Sequence, residues 1–348
     1  MNTALIVLCC LLFTFTILPL VKHDNWVFRV FDYPRLQKLV LNVAVLILTL
    51  ALYDGDDTLR YILPGVLLCN IGHLLWLIWP FTILATKQVV KATTYNEGRK
   101  VSIMIANVYQ DNKEVKARLA QIAGVDPDIV IMLETNKWWD EQTRQLEANY
   151  PHHCRVPLEN TYGLLLYSKL ALSNTAIKYL VEPDIPSIHT QITLRDGEKV
   201  QLYAVHPTPP VPGENTRSTE RDKELLLIAD LARESPLPVI VAGDLNDVAW
   251  SHTTELFLKM SELLDPRRGR GFFNSFNAHY FFVRFPLDHA FISPEFKLNA
   301  IKRLHNCGSD HFPIYLNVQL EPNAANEQET LDVDAEDIAE AEEKKGKV

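Results

Sequence analysis

Three apolar runs crowd the first ninety residues and constrain the chain more than anything after them. Ala4–Val21 contains no charged side chain, Leu39–Tyr53 is interrupted only by Asn42 and Thr49, and Tyr61–Thr86 carries Pro64, Gly65, Asn70 and His73 but no ion. A helix crossing the hydrocarbon of a bilayer needs about 20 apolar residues. The first and third runs reach that length, and the second does so with Leu36–Lys38 added. Runs with no polar face argue against a water-soluble bundle. A cleaved signal peptide is disfavoured because Met1–Thr3 has no basic residue and two further runs follow. The expectation is a membrane anchor over residues 1–90 with three transmembrane helices, at about 4–21, 36–53 and 61–86.

Basic residues near span ends set orientation. The first loop carries Lys22, Arg29, Arg35 and Lys38, Asp54–Arg60 is acidic apart from Arg60, and Lys87, Lys91, Arg99 and Lys100 follow the third run. With three spans, the first loop and everything after Thr86 share a side, and that side is the basic one. The chain is therefore expected to sit in the cell (inner) membrane as a multi-pass protein, N-terminus outside and soluble part in the cytoplasm.

After Lys100 the pattern changes to short β-rich runs alternating with helical ones through residue 320. That alternation indicates one α/β domain, 101–320. Expected strands are Val101–Val108, Ile129–Leu133, Gly163–Ser168, Ile188–Leu194, Val200–Ala204, Val239–Ala242, Ala290–Ser293 and Ile314–Gln319. Expected helices are Lys113–Ala123, Trp138–Asn149, Ser218–Arg233 and His252–Met260. Residues 321–348 lack aromatics and read as an acidic disordered tail. The formal charge of −9 does not advertise a polyanion-binding surface, although a cleft can be basic locally. Cys154 and Cys307, the two cysteines outside the apolar runs, read as free thiols.

One grammar recurs in the soluble part: an apolar strand ends and a polar group able to serve phosphate or metal follows at once. It delivers Asn107, Glu134, His206, Asp244 with Asn246, and Asp310-His311. Taken singly, each has a plain structural reading as a turn former, helix cap or loop residue. The ordered set says more. Ile105-Ala106-Asn107-Val108, Ile131-Met132-Leu133-Glu134, Gly163–Ser168 and Val205-His206-Pro207 are followed by Gly243-Asp244-Leu245-Asn246-Asp247, Leu287-Asp288-His289-Ala290-Phe291 and Gly308-Ser309-Asp310-His311-Phe312-Pro313. In this order they resemble the endonuclease/exonuclease/phosphatase superfamily. The segment His206-Pro207-Thr208-Pro209-Pro210 is similar to one carried by its bacterial branch with N-terminal membrane spans.

The resemblance implies a DNase I-like, four-layered α/β sandwich, here preceded by transmembrane helices. It implies a metal-dependent phosphoric ester hydrolase that cleaves a phosphodiester by in-line attack of an activated water. Glu134, Asn107 and Asp310 are the implied metal residues, for Mg²⁺ with Mn²⁺ as the alternative, since oxygen donors suit hard cations. The implied base is either His311, oriented by Asp310 or Asp288, or Asp244. Asn246 would offer its amide to the phosphate, and His206 would contact the phosphate or protonate the leaving oxygen. Nucleic acid and a lipid headgroup both stand as substrates, the bilayer is the partner of the N-terminal helices, and no protein partner is deducible. The competing reading is an inactive membrane scaffold on the same fold. The aromatic-rich stretch Phe272–Phe285 reads as core packing, with a substrate groove as the alternative, and Arg221 and Lys223 read as a solvated helix face.

Overall fold

The computed structural model describes residues 1–347, so Val348, the end of the expected tail, lies outside the described residues. Four helices come first: α1 Asn2–Ile17, α2 Trp26–Arg29, α3 Arg35–Leu52 and α4 Asp57–Ile78. Three of them, α1, α3 and α4, are long and apolar enough to cross a membrane. The third begins earlier than the expected Tyr61, because Asp56 caps it by accepting from the backbone N–H of Thr58 and Leu59. It also ends before Thr86, in a single 3₁₀ turn at Trp79–Phe81 that holds Pro80.

These helices pack with their polar groups inward. The Asn70 amide donates to Asn42 Oδ1 at 3.1 Å, and the Asn42 amide donates to the Lys38 carbonyl at 2.8 Å. Lys38 reaches the carbonyls of Phe15 and Phe31, which fixes the end of α1 beside the start of α3. At the opposite end the Asp54 N–H meets Asn2 Oδ1. The N-terminus and the α3–α4 turn therefore lie at one end of the bundle, and the connector between α1 and α3 lies at the other.

The rest of the chain places β1 (Lys100–Asn107), α5 (Val115–Val125), β2 (Ile129–Leu133), α6 (Lys137–Thr143), β3 (His152–Val156), β4 (Leu164–Ser168), β5 (Ala171–Lys178), β6 (Ser187–Thr193) and β7 (Lys199–Val205). It continues with α7 (Thr219–Arg233), β8 (Val239–Asp244), α8 (His252–Ser261), β9 (Asp288–Ile292), β10 (Phe296–Arg303), β11 (Ile314–Leu320) and α9 (Ala335–Lys345). One sheet runs β10-β11-β1-β2-β4-β3 and the other β5-β6-β7-β8-β9. Both are mixed, since β1 pairs parallel with β2 and β7 with β8 while their other neighbours run antiparallel.

Period-two alternation builds the layers. Val101, Ile103 and Ile105 of β1 enter the core between the sheets with Ile240 and Ala242 of β8. Met104 and Ala106 face the other way, onto Val115 and Ile122 of α5 and Trp139 of α6. On the second sheet Val205 and Val241 pack outward onto Leu225, Ile228 and Phe257 of α7 and α8. The order across the domain is helix, sheet, sheet, helix.

Two expectations need correction. The helix expected over Trp138–Asn149 stops at Thr143 and finishes as a 3₁₀ turn, Arg144–Ala148. The tail expected to be disordered forms α9, started by a capping box between Asp334 and Asp337. It docks on α7 and α8 by burying Ala341, pairing Asp337 with Lys259 at 2.8 Å, and pairing Lys344 with Asp222 at 2.7 Å. Low hydrophobicity did not prevent order, because one small apolar contact and matched charges hold a helix that the surface of α7 already accommodates.

Candidate active site

Strand direction brings the chemistry to one end of the sandwich. β1 and β2 run parallel and end at Asn107 and just before Glu134. β7 and β8 do the same in the other sheet, ending just before His206 and at Asp244. β9 runs back along β8, so its first residue, Asp288, pairs with Asp244 in register. β11 runs back along β1, with Ile314 opposite Ile105, which brings Ser309-Asp310-His311 beside Asn107. The glycine of the Gly243-Asp244 step is needed because a Cβ there would lie 1.8 Å from the Val205 carbonyl oxygen.

Side chains then close into a chain across the two sheets. The Asn107 amide donates to Glu134 Oε1 at 2.7 Å and to Asp244 Oδ2 at 3.1 Å. Asp244 Oδ2 lies 3.6 Å from His311 Nδ1, and the same nitrogen bonds Asp288 Oδ2 at 2.8 Å. Of the two carboxylates considered as partners for His311, Asp288 therefore carries the contact and Asp310 does not. Ser309 fixes the turn, donating to the Asn107 carbonyl while accepting from the His311 N–H. His206 is buried beside the Tyr162 ring, 5.2 Å between centroids, and among the described residues its Nδ1 has no hydrogen-bond partner. Asn246 and Glu134 both adopt left-handed backbone, φ +50° and +57°, which asparagine tolerates and which costs a glutamate roughly 1–2 kcal/mol.

Burial sets the protonation of these groups. It pushes Glu134 up to about 7, against the Asn107 hydrogen bond that favours the charged form. Burial also raises Asp244, with the nearby His311 charge opposing it. Burial alone would depress His311, but the carboxylates of Asp288 and Asp244 outweigh it and push its pKa up to about 10. His206, without a hydrogen-bonded carboxylate, is carried down to about 4 by burial.

The Asn246 side chain is not free. Its amide donates to the Pro207 carbonyl at 2.9 Å, its N–H donates to Asp244 Oδ1 at 3.0 Å, and its carbonyl accepts from Tyr33 Oη at 2.8 Å and Arg221 at 2.7 Å. Sequence reasoning missed both of these supports. Arg221, read as part of a solvated face, is 2 % exposed and lies between Asp222 at 3.0 Å and Asp247 at 3.5 Å. Tyr33 belongs to the connector between the first two apolar helices, and no local signal joins it to a residue more than two hundred positions away. The aromatic stretch divides. Phe276 and Phe285 pack with Leu287, whereas Tyr280, Phe281 and Phe282 are exposed.

The donor set fits a divalent cation. Glu134, Asp244, Asp288 and Asp310 gather four carboxylates around one imidazole, and Asp288 Oδ1 is buried without a partner. Ligand atoms of Asp244, Asp288 and His311 lie within 4.8 Å of one another, a buried group that could hold a metal ion. Carboxylate and amide oxygens next to a raised acid are the chemistry a hard cation stabilises.

Comparison with known proteins agrees with this geometry. The profile described as the Endonuclease/Exonuclease/phosphatase family matches residues 104–311. Among solved structures, D. rerio TDP2 complexed with a single-strand DNA product is 18% identical over 63% of this chain and 99% of its own, with TM-score 0.52. The human Nocturnin catalytic domain with a bound sulfate anion is 16% identical over 64% of this chain and 94% of its own, with TM-score 0.53. An endonuclease/exonuclease/phosphatase family protein from Bacteroides thetaiotaomicron is 18% identical over 64% of this chain and 98% of its own, with TM-score 0.51. Such identities speak to the fold. No curated protein matches the chain.

Proposed function

The chain belongs to the endonuclease/exonuclease/phosphatase family, and from that premise we propose that it is a membrane-anchored, metal-dependent phosphoesterase that hydrolyses a phosphodiester. The observation that carries the reading is the continuous contact chain Glu134–Asn107–Asp244–His311–Asp288 at the cleft end of both sheets. Glu134, with Asn107 and Asp310, would hold Mg²⁺ or Mn²⁺, and the cation would supply charge neutralisation on the phosphoryl oxygens.

The protein's own groups divide the remaining work. His311, held cationic by Asp288 and Asp244 when these carboxylates hold no metal, lines the cleft and would stabilise a phosphoryl oxygen. Asp244 is left as the group that accepts the proton of the attacking water, its carboxylate raised by burial toward a useful basicity. Neutral His206 and the backbone-locked Asn246 would serve the leaving oxygen.

α1, α3 and α4 would span the inner membrane, with the catalytic domain on the cytoplasmic side. The bundle supports that parity, since Met1 and the α3–α4 turn share the end away from the catalytic domain. The connector docks on the domain at the other end, with the Trp26 N–H on the Thr216 carbonyl at 3.0 Å and the Trp250 indole on the Asp32 carbonyl at 2.9 Å.

The test is hydrolysis of bis(p-nitrophenyl) phosphate by the full chain in detergent, with Mg²⁺, with Mn²⁺ and with chelator. The expected result is activity that chelation abolishes and that Glu134→Gln removes without unfolding the protein. Cation-independent activity would refute the metal requirement, and no activity from folded protein with either ion would leave the scaffold reading in its place.

A further inference from the structure

We infer that the substrate is an amphiphilic phosphoester drawn directly from the bilayer, through a cleft mouth built by the α1–α3 connector and the Tyr280–Val283 loop. This rests on the phosphoesterase reading above and adds the substrate class. The cleft holds about 700 Å³, and its polar lining is Glu134, Glu214, Asn246, Asp310 and His311. Its walls are apolar: Trp26, Val30 and Tyr33 come from the connector, and Phe276, Val283 and Phe285 from the aromatic stretch. Pro209 and Pro210 of the His206–Pro210 segment also line it.

Charge in the cleft lining disfavours a polyanion. Among the described residues lining the cleft there is no lysine or arginine, and the ionisable groups besides His311 are Glu134, Glu214 and Asp310. Nucleic acid is held chiefly through basic side chains on its phosphates. A lining of tryptophan, tyrosine, phenylalanine, valine and proline that also includes the site residues Glu134, Asp310 and His311 instead matches a molecule with a headgroup phosphoester and an apolar remainder.

Placement points the same way. Gln37, in the first turn of α3, donates to the Phe282 carbonyl at 2.9 Å. That bond holds the loop at the level where an apolar helix begins, one turn before the exposed Val40 and Leu41. Phe281 and Phe282, the loop tip, are 71% and 80% exposed, with Tyr280 beside them. Three adjacent exposed aromatics beside a candidate span belong at a membrane–water interface, where such rings concentrate. Val283 is shared, exposed on the tip and lining the cleft, so the surface that would enter the lipid is continuous with the catalytic cavity. Tyr33 joins the other wall to the chemistry, its hydroxyl on the Asn246 carbonyl and its ring edge-on to Phe285 at 5.6 Å. Hydrolysis there adds water across one P–O bond, the hydroxyl going to phosphorus and the proton to the departing alkoxide, so a lipid ester needs no further reactant.

The experiment uses the full chain reconstituted in phosphatidylcholine vesicles carrying phosphatidylglycerol, phosphatidylethanolamine or cardiolipin. A single-stranded DNA oligonucleotide and bis(p-nitrophenyl) phosphate serve as soluble comparators under the same Mg²⁺ and Mn²⁺ conditions. The expected result is hydrolysis of a vesicle lipid in preference to DNA. Phe281→Ser/Phe282→Ser, which alters side chains outside the cleft lining, should lower lipid hydrolysis roughly tenfold or more while leaving bis(p-nitrophenyl) phosphate within about twofold. Phe281→Leu/Phe282→Leu, which keeps the tip apolar, should retain most lipid activity. DNA cleaved faster than every lipid, or a serine variant that loses both activities equally while the leucine variant keeps both, would overturn the inference and leave the phosphoesterase reading standing. Failure of the wild-type protein on all substrates would instead sink that reading, and the inference with it.

Discussion

The N-terminal helices and the sandwich behind them use the same apolar residues sorted in opposite directions. In the sandwich Ile103, Ile131 and Ile240 are fully buried, whereas in the helices Val40 and Ile47 are 61% exposed and Trp76 71%. Polar burial differs as well. Along the helix seam Asn42, Asn70 and Lys38 satisfy one another and nearby carbonyls. At the end of the sheets Asn107, Asp244, Asp288 and His311 are also buried, but Asp288 Oδ1 and His206 Nδ1 remain without partners. Buried polar groups that close on themselves hold an assembly together, and at the cleft the unpartnered Asp288 oxygen belongs to a group of side chains that could take a cation.

The largest effect that separates the two kinds of burial is catalytic. His311→Ala and Asp244→Asn should each lower kcat by about 10²–10⁴-fold, with unfolding transitions close to wild type. Comparison of the two variants also divides their roles. If Asp244 accepts the water proton, Asp244→Asn removes the acidic limb of the rate profile, while His311→Ala keeps that limb on a much lower plateau. A pair of variants that merely unfolds would put the site in the same class as the helix seam.

Much of this is legible in the sequence, and what is not legible has physical causes. The central strands β1, β2, β7 and β8 are mostly buried, and each reads as an apolar segment broken within only by Ser102 in β1 and Gln201 in β7. The three strands that went unanticipated, β3, β5 and β10, all lie at sheet edges with mixed burial. An edge strand has one covered side and one open side, so its composition carries little period-two signal. The residues that meet at the cleft were likewise readable because strand ends locate them. Tyr33 and Arg221 were not, since each acts through the Asn246 carbonyl across the fold. Lys344 on α9 and Arg221 share Asp222, so the acidic tail is tied by a buried charge pair to the helix that braces the site.

The environment of the helix surface is the next test. Val43 lies at the middle of α3 and is exposed. If hydrocarbon surrounds it, Val43→Lys should impair insertion by about 2.5–3.5 kcal/mol, read as the membrane-integrated fraction in a translocation assay. If water surrounds it, the same change should cost no more than about 0.5 kcal/mol, and the opposite sorting of the two regions would need another explanation.

A smaller effect reads the open capacity of the site through pH. Burial raises Glu134 from 4.5 to about 7, so the folded protein retains a proton there that the unfolded chain has released. In metal-free protein this contribution is present below 4.5 and is lost as pH climbs through about 7, so stability declines across that window. A cation held by the ionised carboxylate should reverse the loss. Mg²⁺ should therefore raise the melting temperature by a few degrees more at about pH 8 than at about pH 5.5. Glu134→Gln should flatten both the decline and the Mg²⁺ difference, and an unchanged Mg²⁺ response in that variant would move the cation to other ligands.

The smallest effect belongs to the closed polar pair between α3 and α4. Asn42→Leu strands the Asn70 amide inside the bundle, where it now reaches Asn42 at 3.1 Å. In a membrane the loss should be modest, about 0.6 kcal/mol and no more than about 1.7 kcal/mol, because unfolded helices in lipid also find partners for their polar groups. Asn42→Leu/Asn70→Leu should recover most of that loss, since removing both partners leaves nothing unpaired. Hydrolysis should be unaltered in both variants if the seam serves assembly alone. The connector provides a sensitive check, because Lys38 grips Phe15 and Phe31 only a few residues before Tyr33 meets the cleft. A fall in kcat from Asn42→Leu, with the helices still inserted, would mean that strain in the seam reaches Asn246 through Tyr33, and that the two regions are coupled and not merely joined.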